Sequence, residues 1–238
     1  METKRLIMFE INGNLKVNKF YINNSIIFTI DNFYKFPDKI LNLFLKVSPP
    51  VHKKSKKTYN TIFFDDRRHI FECDELIKVN QFLISLCKQK STHYENIGFT
   101  NVTTFKNKCF NDYENNYWWP HLDGGYNGIL YLNPGDDVCG TNLYEPLDLD
   151  NDPPKNMEEH EQPWRKKEKY KLIHQIKPKY NRMVLFDGLK FFHGMNISKN
   201  YYFYDMPRIN QVFFFEQDKN HTSTGPPKSK HKLKVFYS

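Results

Sequence analysis

The most informative stretch of the sequence lies in its middle and reads Trp118-Trp119-Pro120-His121-Leu122-Asp123-Gly124-Gly125. Residues two apart on a β-strand point to the same face, so we expect the side chains of His121 and Asp123 to lie together. Burying an imidazole beside a carboxylate is costly unless both are paired, and a divalent metal ion would pair with both. A lone His-x-Asp pair is common, so a metal site here needs a third ligand from elsewhere.

The best candidate for that ligand is His193, which lies in an apolar stretch after the turn residues Asp187-Gly188. A histidine in such a strand is more often a core residue bonded to a carbonyl. Two histidines and one carboxylate, however, form the facial triad of non-haem Fe(II) oxygenases, which leaves coordination positions open. His93-Tyr94-Glu95 is the one near-equivalent pair, and it lies in a polar connection without a clear strand.

Arg208 follows His193 by 15 residues and precedes a strongly apolar segment. Two open metal positions can chelate a 2-oxo acid, and a 2-oxo diacid needs a cation for its far carboxylate. The forked guanidinium of arginine matches a carboxylate in geometry. We therefore interpret Arg208 as an anion-binding residue, with a salt bridge at the rim of the fold as the alternative.

The pattern of turns and apolar residues predicts a mainly β protein with N-terminal helices, of the α+β class. Alternation around Asn12-Gly13 predicts a hairpin over residues 4–22, and helices are expected to begin at Pro37 and at a cap on Asp74. Many short strands follow, which favours a barrel or jelly roll. They are expected at Phe99–Phe105, Tyr117–Leu122, Ile129–Leu132, Thr141–Tyr144, Leu172–Ile176, Met183–Phe186, Phe191–Met195 and Ile209–Glu216.

The chain divides into an N-terminal β-hairpin extension (1–23), a main domain (24–218) and a Lys-rich C-terminal tail (219–238). Within the main domain, residues 145–171 form a charged insertion that is acidic first and basic later. Loops of this length are usually either functional lids or disordered, and the sequence leaves both interpretations open.

Composition excludes several classes of protein. Of the 238 residues, 39% are hydrophobic and 16% aromatic, too many for a disordered chain. No long uncharged apolar segment predicts a membrane span, and Glu10 interrupts any secretory signal, so we expect a soluble cytoplasmic protein with no membrane partner. The four Cys form no C-x-x-C pair. The net charge of +8 suits nucleic acid, but the absence of Ala and the abundance of Lys, Asn and Ile indicate AT-rich coding instead.

An ordered set of short motifs resembles the 2-oxoglutarate/Fe(II)-dependent dioxygenase superfamily, in its prolyl 4-hydroxylase-like branch. The similarity spans roughly residues 24–217. One departure is Cys139-Gly140-Thr141, where the family has Gly-Gly-x-Thr, and the gap from His193 to Arg208 is long. The motifs are Phe28–Tyr34 before a helix, His121-x-Asp123, Ile129–Asn133, Gly140–Tyr144, His193 and Arg208.

The resemblance implies a double-stranded β-helix, which is a jelly-roll or cupin-like core, across the dioxygenase domain. It implies that His121, Asp123 and His193 are the catalytic iron ligands. Arg208 would pair with the distal carboxylate of 2-oxoglutarate, and the hydroxyl of Tyr131 would bond the same group. The implied cofactors are Fe(II), 2-oxoglutarate and O₂, with ascorbate as a reductant.

The implied reaction hydroxylates a C–H bond while 2-oxoglutarate is decarboxylated to succinate. The expected substrate is a prolyl or other residue of a protein or peptide, or a free amino acid. Asp123 argues against a halogenase, which has a small residue at that position. Two alternatives stay open: an oxygenase that modifies nucleic acid, and a non-catalytic, metal-stabilised binding module.

Overall fold

A computed structural model of the chain describes residues 8–46, 64–70, 73–87, 99–123, 125–135, 140–147, 163–198 and 207–215. Short 3₁₀ turns lie at Asn107–Phe110 and Lys167–Lys169. In chain order the other elements of this part are β1 (Lys16–Ile22), β2 (Ser25–Asp31), α1 (Pro37–Lys46), β3 (Phe64–Ile70), α2 (Asp74–Cys87), β4 (Phe99–Phe105), β5 (Asn116–Trp118), β6 (Tyr126–Tyr131), β7 (Thr141–Pro146), β8 (Trp164–Lys166), β9 (Tyr170–Ile176), β10 (Arg182–Asp187), β11 (Phe192–Met195) and β12 (Arg208–Phe215).

The described part of the chain is mainly β, and its strands pair antiparallel in two facing groups. A large sheet has the order β1-β2-β10-β6-β12-β4-β3, and a small sheet has the order β11-β7-β9. The pair β5-β8 adjoins the small sheet, because an antiparallel bridge joins His121, just after β5, to His193 of β11. This arrangement is compatible with a β-sandwich.

The two faces of the large sheet are buried against different partners. Leu130 and Phe213 point to one face and share an apolar cluster with Ile40 of α1 and Leu83 of α2. Their strand neighbours point the other way, because successive side chains alternate across a sheet. Thus Tyr131 packs in a second cluster with residues of the small sheet. We call the second side of the large sheet its inner face.

The helices begin near the predicted positions and bury one side. Pro37 opens α1, where its fixed φ and missing N–H cost nothing. Asp74 is the first residue of α2 rather than its cap, because the carbonyl of Cys73 already accepts from the amides of Leu76 and Ile77. Leu76 is buried as predicted, whereas Ile77 is exposed, so the buried side of α2 is rotated slightly from the predicted one.

The hairpin predicted over residues 4–22 was placed around the wrong turn. β1 pairs with β2 from Lys16↔Asp31 to Ile22↔Ser25, around Asn23 and Asn24. Both asparagines have positive φ, 47° and 60°, which a type I′ turn requires and Asn tolerates. β1 is therefore an edge strand of the large sheet and not part of a separate extension. Residues 1–7 lie outside the described residues.

Most predicted strands are present within a few residues, and β4 has the predicted bounds. β3 and β8 were not predicted. β8 falls within the charged insertion 145–171, whose two ends belong to β7 and β9. The predicted lid therefore concerns only residues 148–162, which lie outside the described residues, as does the tail 219–238. No helix in the described part is long and apolar enough to cross a membrane.

Candidate metal centre

The structure brings together His121, Asp123 and His193, three residues that the sequence singled out. Asp123 Oδ2 lies 3.2 Å from His193 Nε2 and 3.7 Å from His121 Nε2. One ligand atom from each residue lies within 4.8 Å of the others, and the two imidazole centroids are 4.4 Å apart. Three donors at these separations can converge on one metal ion.

Backbone hydrogen bonds hold the three residues on two neighbouring segments. The amides of His121 and His193 donate to each other's carbonyls at 3.0 and 2.8 Å. The amide of Asp123 donates to the carbonyl of Gly188 at 3.2 Å, which ties the loop after β5 to the turn before β11. Residues 70 positions apart in sequence are thereby fixed side by side.

The strand predicted over Tyr117–Leu122 ends early, at Trp118. Trp119 has a φ of 50°, a left-handed conformation that is strained for a bulky side chain. Because the chain bends there, His121 and Asp123 do not share one regular strand face, as the sequence had indicated. The same bend turns the carbonyl of Trp119 toward the ring of His121.

Gly194 allows β11 to lie close to this bend. A Cβ at residue 194 would clash with the carbonyl oxygen of Trp118. Only glycine can therefore follow His193 without pushing the two segments apart.

Both imidazoles are oriented by a second hydrogen bond. His121 Nδ1 lies 2.7 Å from the carbonyl oxygen of Trp119, and His193 Nδ1 lies 3.1 Å from that of Phe191. A carbonyl only accepts, so each Nδ1–H donates and each Nε2 keeps its lone pair. Metal-binding histidines commonly have this arrangement, in which a backbone carbonyl fixes the ring and its tautomer.

The electrostatics of the cluster favour the protonation states that bind a cation. Burial alone would raise the pKa of Asp123, but protonated forms of His121 and His193 outweigh it through their charge and hydrogen bonds and hold that pKa well below its usual range in the metal-free site. Burial, together with the charge that His121 carries when protonated, lowers the pKa of His193 despite the nearby carboxylate. The side chains are 33% (His121), 19% (Asp123) and 5% (His193) exposed, so the cluster opens to solvent on the side of His121.

Arg208 and Tyr131 lie on the same face of the large sheet as Asn127, but further along it. Asn210 of β12 pairs with Tyr131 of β6, so Arg208, Asn210 and Tyr131 share the inner face of the large sheet. Asn127, at the metal cluster, is four residues from Tyr131 along β6, which is about 13 Å of strand. Both predicted residues thus lie further along the same face.

The two residues differ in how their polar groups are satisfied. Tyr131 Oη lies 2.6 Å from Thr141 Oγ1 of β7. Arg208 is only 6% exposed, and its Nη1 donates to Asn210 Oδ1 at 3.1 Å. Among the described residues no carboxylate pairs with Arg208, so it makes no salt bridge there at the rim of the fold. A buried guanidinium with this surrounding is suited to binding an anion.

Asn127 is a site residue that the sequence reasoning missed. Its Nδ2 lies 2.8 Å from Asp123 Oδ2 and 3.2 Å from His193 Nε2. The signal was the alternation in β6, which puts Asn127 on the same face as Ile129 and Tyr131. The predicted strand began only at Ile129, so Asn127 was not singled out.

Comparison of the chain with protein-family models finds no match, and no curated protein matches it in sequence. The chemistry of the donor set is therefore judged from the site itself. Two imidazole nitrogens and one carboxylate oxygen suit Fe(II) in a facial triad, and the same donors also bind catalytic Zn²⁺. In both cases positions stay open for other ligands, which agrees with the exposed side of His121.

Proposed function

We propose that this chain is an Fe(II)- and 2-oxoglutarate-dependent dioxygenase that hydroxylates a C–H bond. The observation that carries the proposal is a pair of sites on the inner side of one sandwich. A two-histidine, one-carboxylate cluster lies at one end, and a buried arginine without a carboxylate partner in the described part lies further along the same face. A small diacid that chelates a metal through one end needs such a pair.

The strand order supports a double-stranded β-helix as the finer description of the fold. From β4 onward, strands β4, β6, β10 and β12 belong to the large sheet, and β5, β7, β9 and β11 lie on the opposite side. Apart from the step from β7 through β8 to β9, which stays on one side, the chain thus crosses repeatedly between two facing sheets. Jelly rolls are built in this way, from two sheets of four strands each.

The metal would be held by Nε2 of His121, Oδ2 of Asp123 and Nε2 of His193. Fe(II) bound there supplies the redox chemistry that activates O₂ and couples decarboxylation of the 2-oxo acid to hydroxylation. The contribution of the chain is electrostatic and geometric. Asp123 stays ionised and offsets part of the cation's charge, and the two carbonyl-bound imidazoles present their lone pairs without reorganisation.

Arg208 supports the choice of a diacid as cosubstrate. Removing a guanidinium from water costs several kcal/mol unless an anion and hydrogen bonds compensate. The distal carboxylate of 2-oxoglutarate would supply that anion, with Asn210 already orienting the guanidinium. Tyr131 would donate its hydroxyl hydrogen to the same carboxylate after exchanging its contact with Thr141.

The proposed substrate is a prolyl or other residue of a protein or peptide, or a free amino acid, as the resemblance to prolyl 4-hydroxylases implies. It would approach from the side of His121, where the cluster is open. The half-buried indole of Trp119 borders this side, with its ring 6.1 Å from the His121 ring. An aromatic surface there suits an apolar ring or chain that presents a C–H bond.

The decisive experiment measures succinate release from 2-oxoglutarate with purified protein. We expect release that requires added Fe(II), is stimulated by a proline-containing peptide library, and is abolished in His193→Ala. His174→Ala is the matched control, because His174 is a half-buried imidazole of β9 outside the cluster, in contact with Phe20. That variant should keep the activity.

The alternatives give different results in the same assay. Oxygen incorporation into methylated oligonucleotides, with none into peptides, would favour an enzyme that modifies nucleic acid. Metal binding without any succinate release, with or without either substrate, would favour a non-catalytic binding module and would contradict the proposal.

A further inference from the structure

The carboxamide of Asn127 contacts two of the three ligand side chains at once. Its Nδ2 lies 2.8 Å from Asp123 Oδ2 and 3.2 Å from His193 Nε2. Both of these atoms are acceptors, because a carboxylate oxygen has no hydrogen to donate and the Nδ1–H of His193 donates to a carbonyl. The donor end of the amide must therefore face the cluster.

Only one of the two contacts is compatible with a bound cation. The neutral imidazole of His193 has a single lone pair on Nε2, which a metal ion would use. A carboxylate oxygen has two lone pairs, so Asp123 Oδ2 can bind a metal and still accept from Asn127. The hydrogen bond from Asn127 to Asp123 is therefore the one that belongs to the metal centre.

The orientation of the Asp123 side chain depends on the hydrogen bond from Asn127, whereas other contacts fix the two histidines. Each imidazole is fixed by a ring hydrogen bond to a carbonyl and by the backbone bridge between His121 and His193. The carboxylate has freely rotating torsions and, besides the two imidazoles, a hydrogen bond from Asn127. Without it, either carboxylate oxygen, or both together, could turn toward the metal.

Asn127 itself has little room to move. A Cβ at Gly188 would lie 2.8 Å from Asn127 Nδ2 and 3.1 Å from its Cγ, so the amide packs directly against the backbone there. Asn127 also lies within β6, paired with Phe186 and Phe214 of the two neighbouring strands. Its side chain is thus held between a rigid strand and a close turn.

We propose that Asn127 is a positioning residue of the metal centre. It holds the Asp123 carboxylate so that a single oxygen, Oδ2, faces the metal, and it thereby keeps the adjacent coordination position open for another ligand. This inference rests on the proposed metal binding. It adds that the coordination mode of Asp123 is set by a neutral amide from the large sheet.

The test titrates the metal-free protein with Co²⁺ and records both the dissociation constant and the visible absorption spectrum. In Asn127→Leu, which keeps the branched shape of asparagine but has no donor, we expect Co²⁺ affinity to fall about 10- to 100-fold, as for other outer hydrogen-bond partners. The spectrum should also change, because a second carboxylate oxygen raises the coordination number. The matched control is Asn80→Leu, a buried asparagine of α2 on the opposite side of the large sheet, and it should bind Co²⁺ like the wild type.

A measurement on the wild type covers the case in which Asn127→Leu fails to fold. The side-chain amide signals of Asn127, followed by NMR during Zn²⁺ titration, should shift and stay protected from exchange. An unchanged affinity and spectrum in a folded Asn127→Leu, or amide signals unaffected by Zn²⁺, would overturn the positioning role while wild-type metal binding still stands. Failure of the wild type to bind Co²⁺ would overturn the proposed function as well, so the two failures are distinguishable.

Discussion

Both faces of the large sheet bury apolar residues of the same strands, but the inner face also carries the polar residues of the candidate sites. Toward the helices, Leu130 of β6 and Ile209 and Phe213 of β12 are fully buried apolar side chains. Toward the small sheet, the same strands carry Asn127 and Arg208, both buried and polar. Because side chains alternate, one step along a strand changes the environment from an apolar core to a candidate site.

This difference separates residues that stabilise the fold from residues suited to bind a ligand. Each large apolar side chain buried on the helix side contributes about 1.5 to 3 kcal/mol to folding. A buried guanidinium on the inner face lowers the stability of the fold unless a bound anion compensates its charge. The apolar residues of both faces therefore stabilise the fold, and the inner face in addition keeps polar groups that ligands would satisfy.

The largest expected effect comes from the helix side. Replacing Leu130 with Ala leaves a cavity among fully buried neighbours, and we expect the free energy of unfolding to fall by about 2 to 5 kcal/mol in urea denaturation. Co²⁺ affinity of the folded protein should stay unchanged. Leu172→Ala, at a site 40% exposed, is the control and should cost less than about 0.5 kcal/mol. A metal affinity that falls in Leu130→Ala would contradict the division between the two faces.

The next largest effect is expected for a substitution of Arg208. It is measured as the affinity for 2-oxoglutarate, by calorimetry in the presence of a redox-inert metal. Arg208→Met removes a charged hydrogen-bonding group worth about 1.5 to 3 kcal/mol, so affinity should fall about 10- to 100-fold. The free energy of unfolding without ligand should stay equal or rise, because the substitution removes a buried charge that no carboxylate of the described residues pairs with.

Arg182→Met is the matched control for that variant. Arg182 is an arginine of the same sheet that is already paired, with Nε 2.6 Å and Nη2 3.1 Å from the Asp31 carboxylate. Its replacement should lower stability by about 1 to 3 kcal/mol and leave 2-oxoglutarate affinity unchanged. Equal effects of the two substitutions on 2-oxoglutarate affinity would contradict the distinction between a structural and a ligand-binding arginine.

The smallest effect is the pH dependence of the Asp31 pair. The hydrogen bond from Arg182, assisted by Lys179, lowers the pKa of Asp31 against the opposing effect of burial. A carboxyl whose pKa is lower in the folded state stabilises the fold above the unfolded pKa of about 3.9, and this stability is lost as the pH falls through the folded value. Wild-type stability should therefore exceed that of Asp31→Asn by roughly 1 kcal/mol at pH 7. The difference should shrink as the pH falls below the unfolded pKa of about 3.9, and a constant difference from pH 7 to pH 2 would refute this assignment.

Sequence patterns predicted the regular parts of this fold because local chemistry determines them. Pro37 begins α1, and the segment at 99–105, which is rich in aromatic and β-branched residues, forms β4 with the predicted ends. The strand Phe64–Ile70 was missed because five of its seven residues are polar or charged, which is usual for the edge strand that β3 forms. The hairpin turn was missed because Asn-Gly is the stronger turn signal, yet β1 pairs across Asn23-Asn24.

The candidate site was predictable in its residue types but not in its geometry. The pattern His-x-Asp and a distant His identified the three side chains that meet. That pattern indicated a shared strand face. Instead, the left-handed bend at Trp119 and the close approach of the two segments at Gly194 bring the three side chains together. Asn127 belongs to the site through a tertiary contact, and no local pattern marks an asparagine at the start of a strand as a partner of a carboxylate.

The central claim is that His121, Asp123 and His193 bind one metal ion. Crystals grown without oxygen in the presence of Fe(II), with diffraction data collected on both sides of the iron absorption edge, test it most directly. The account predicts one anomalous peak per chain, about 2.0 to 2.3 Å from Nε2 of both histidines and from Oδ2 of Asp123. An empty cluster at saturating Fe(II), or a peak bound by other residues alone, would contradict it.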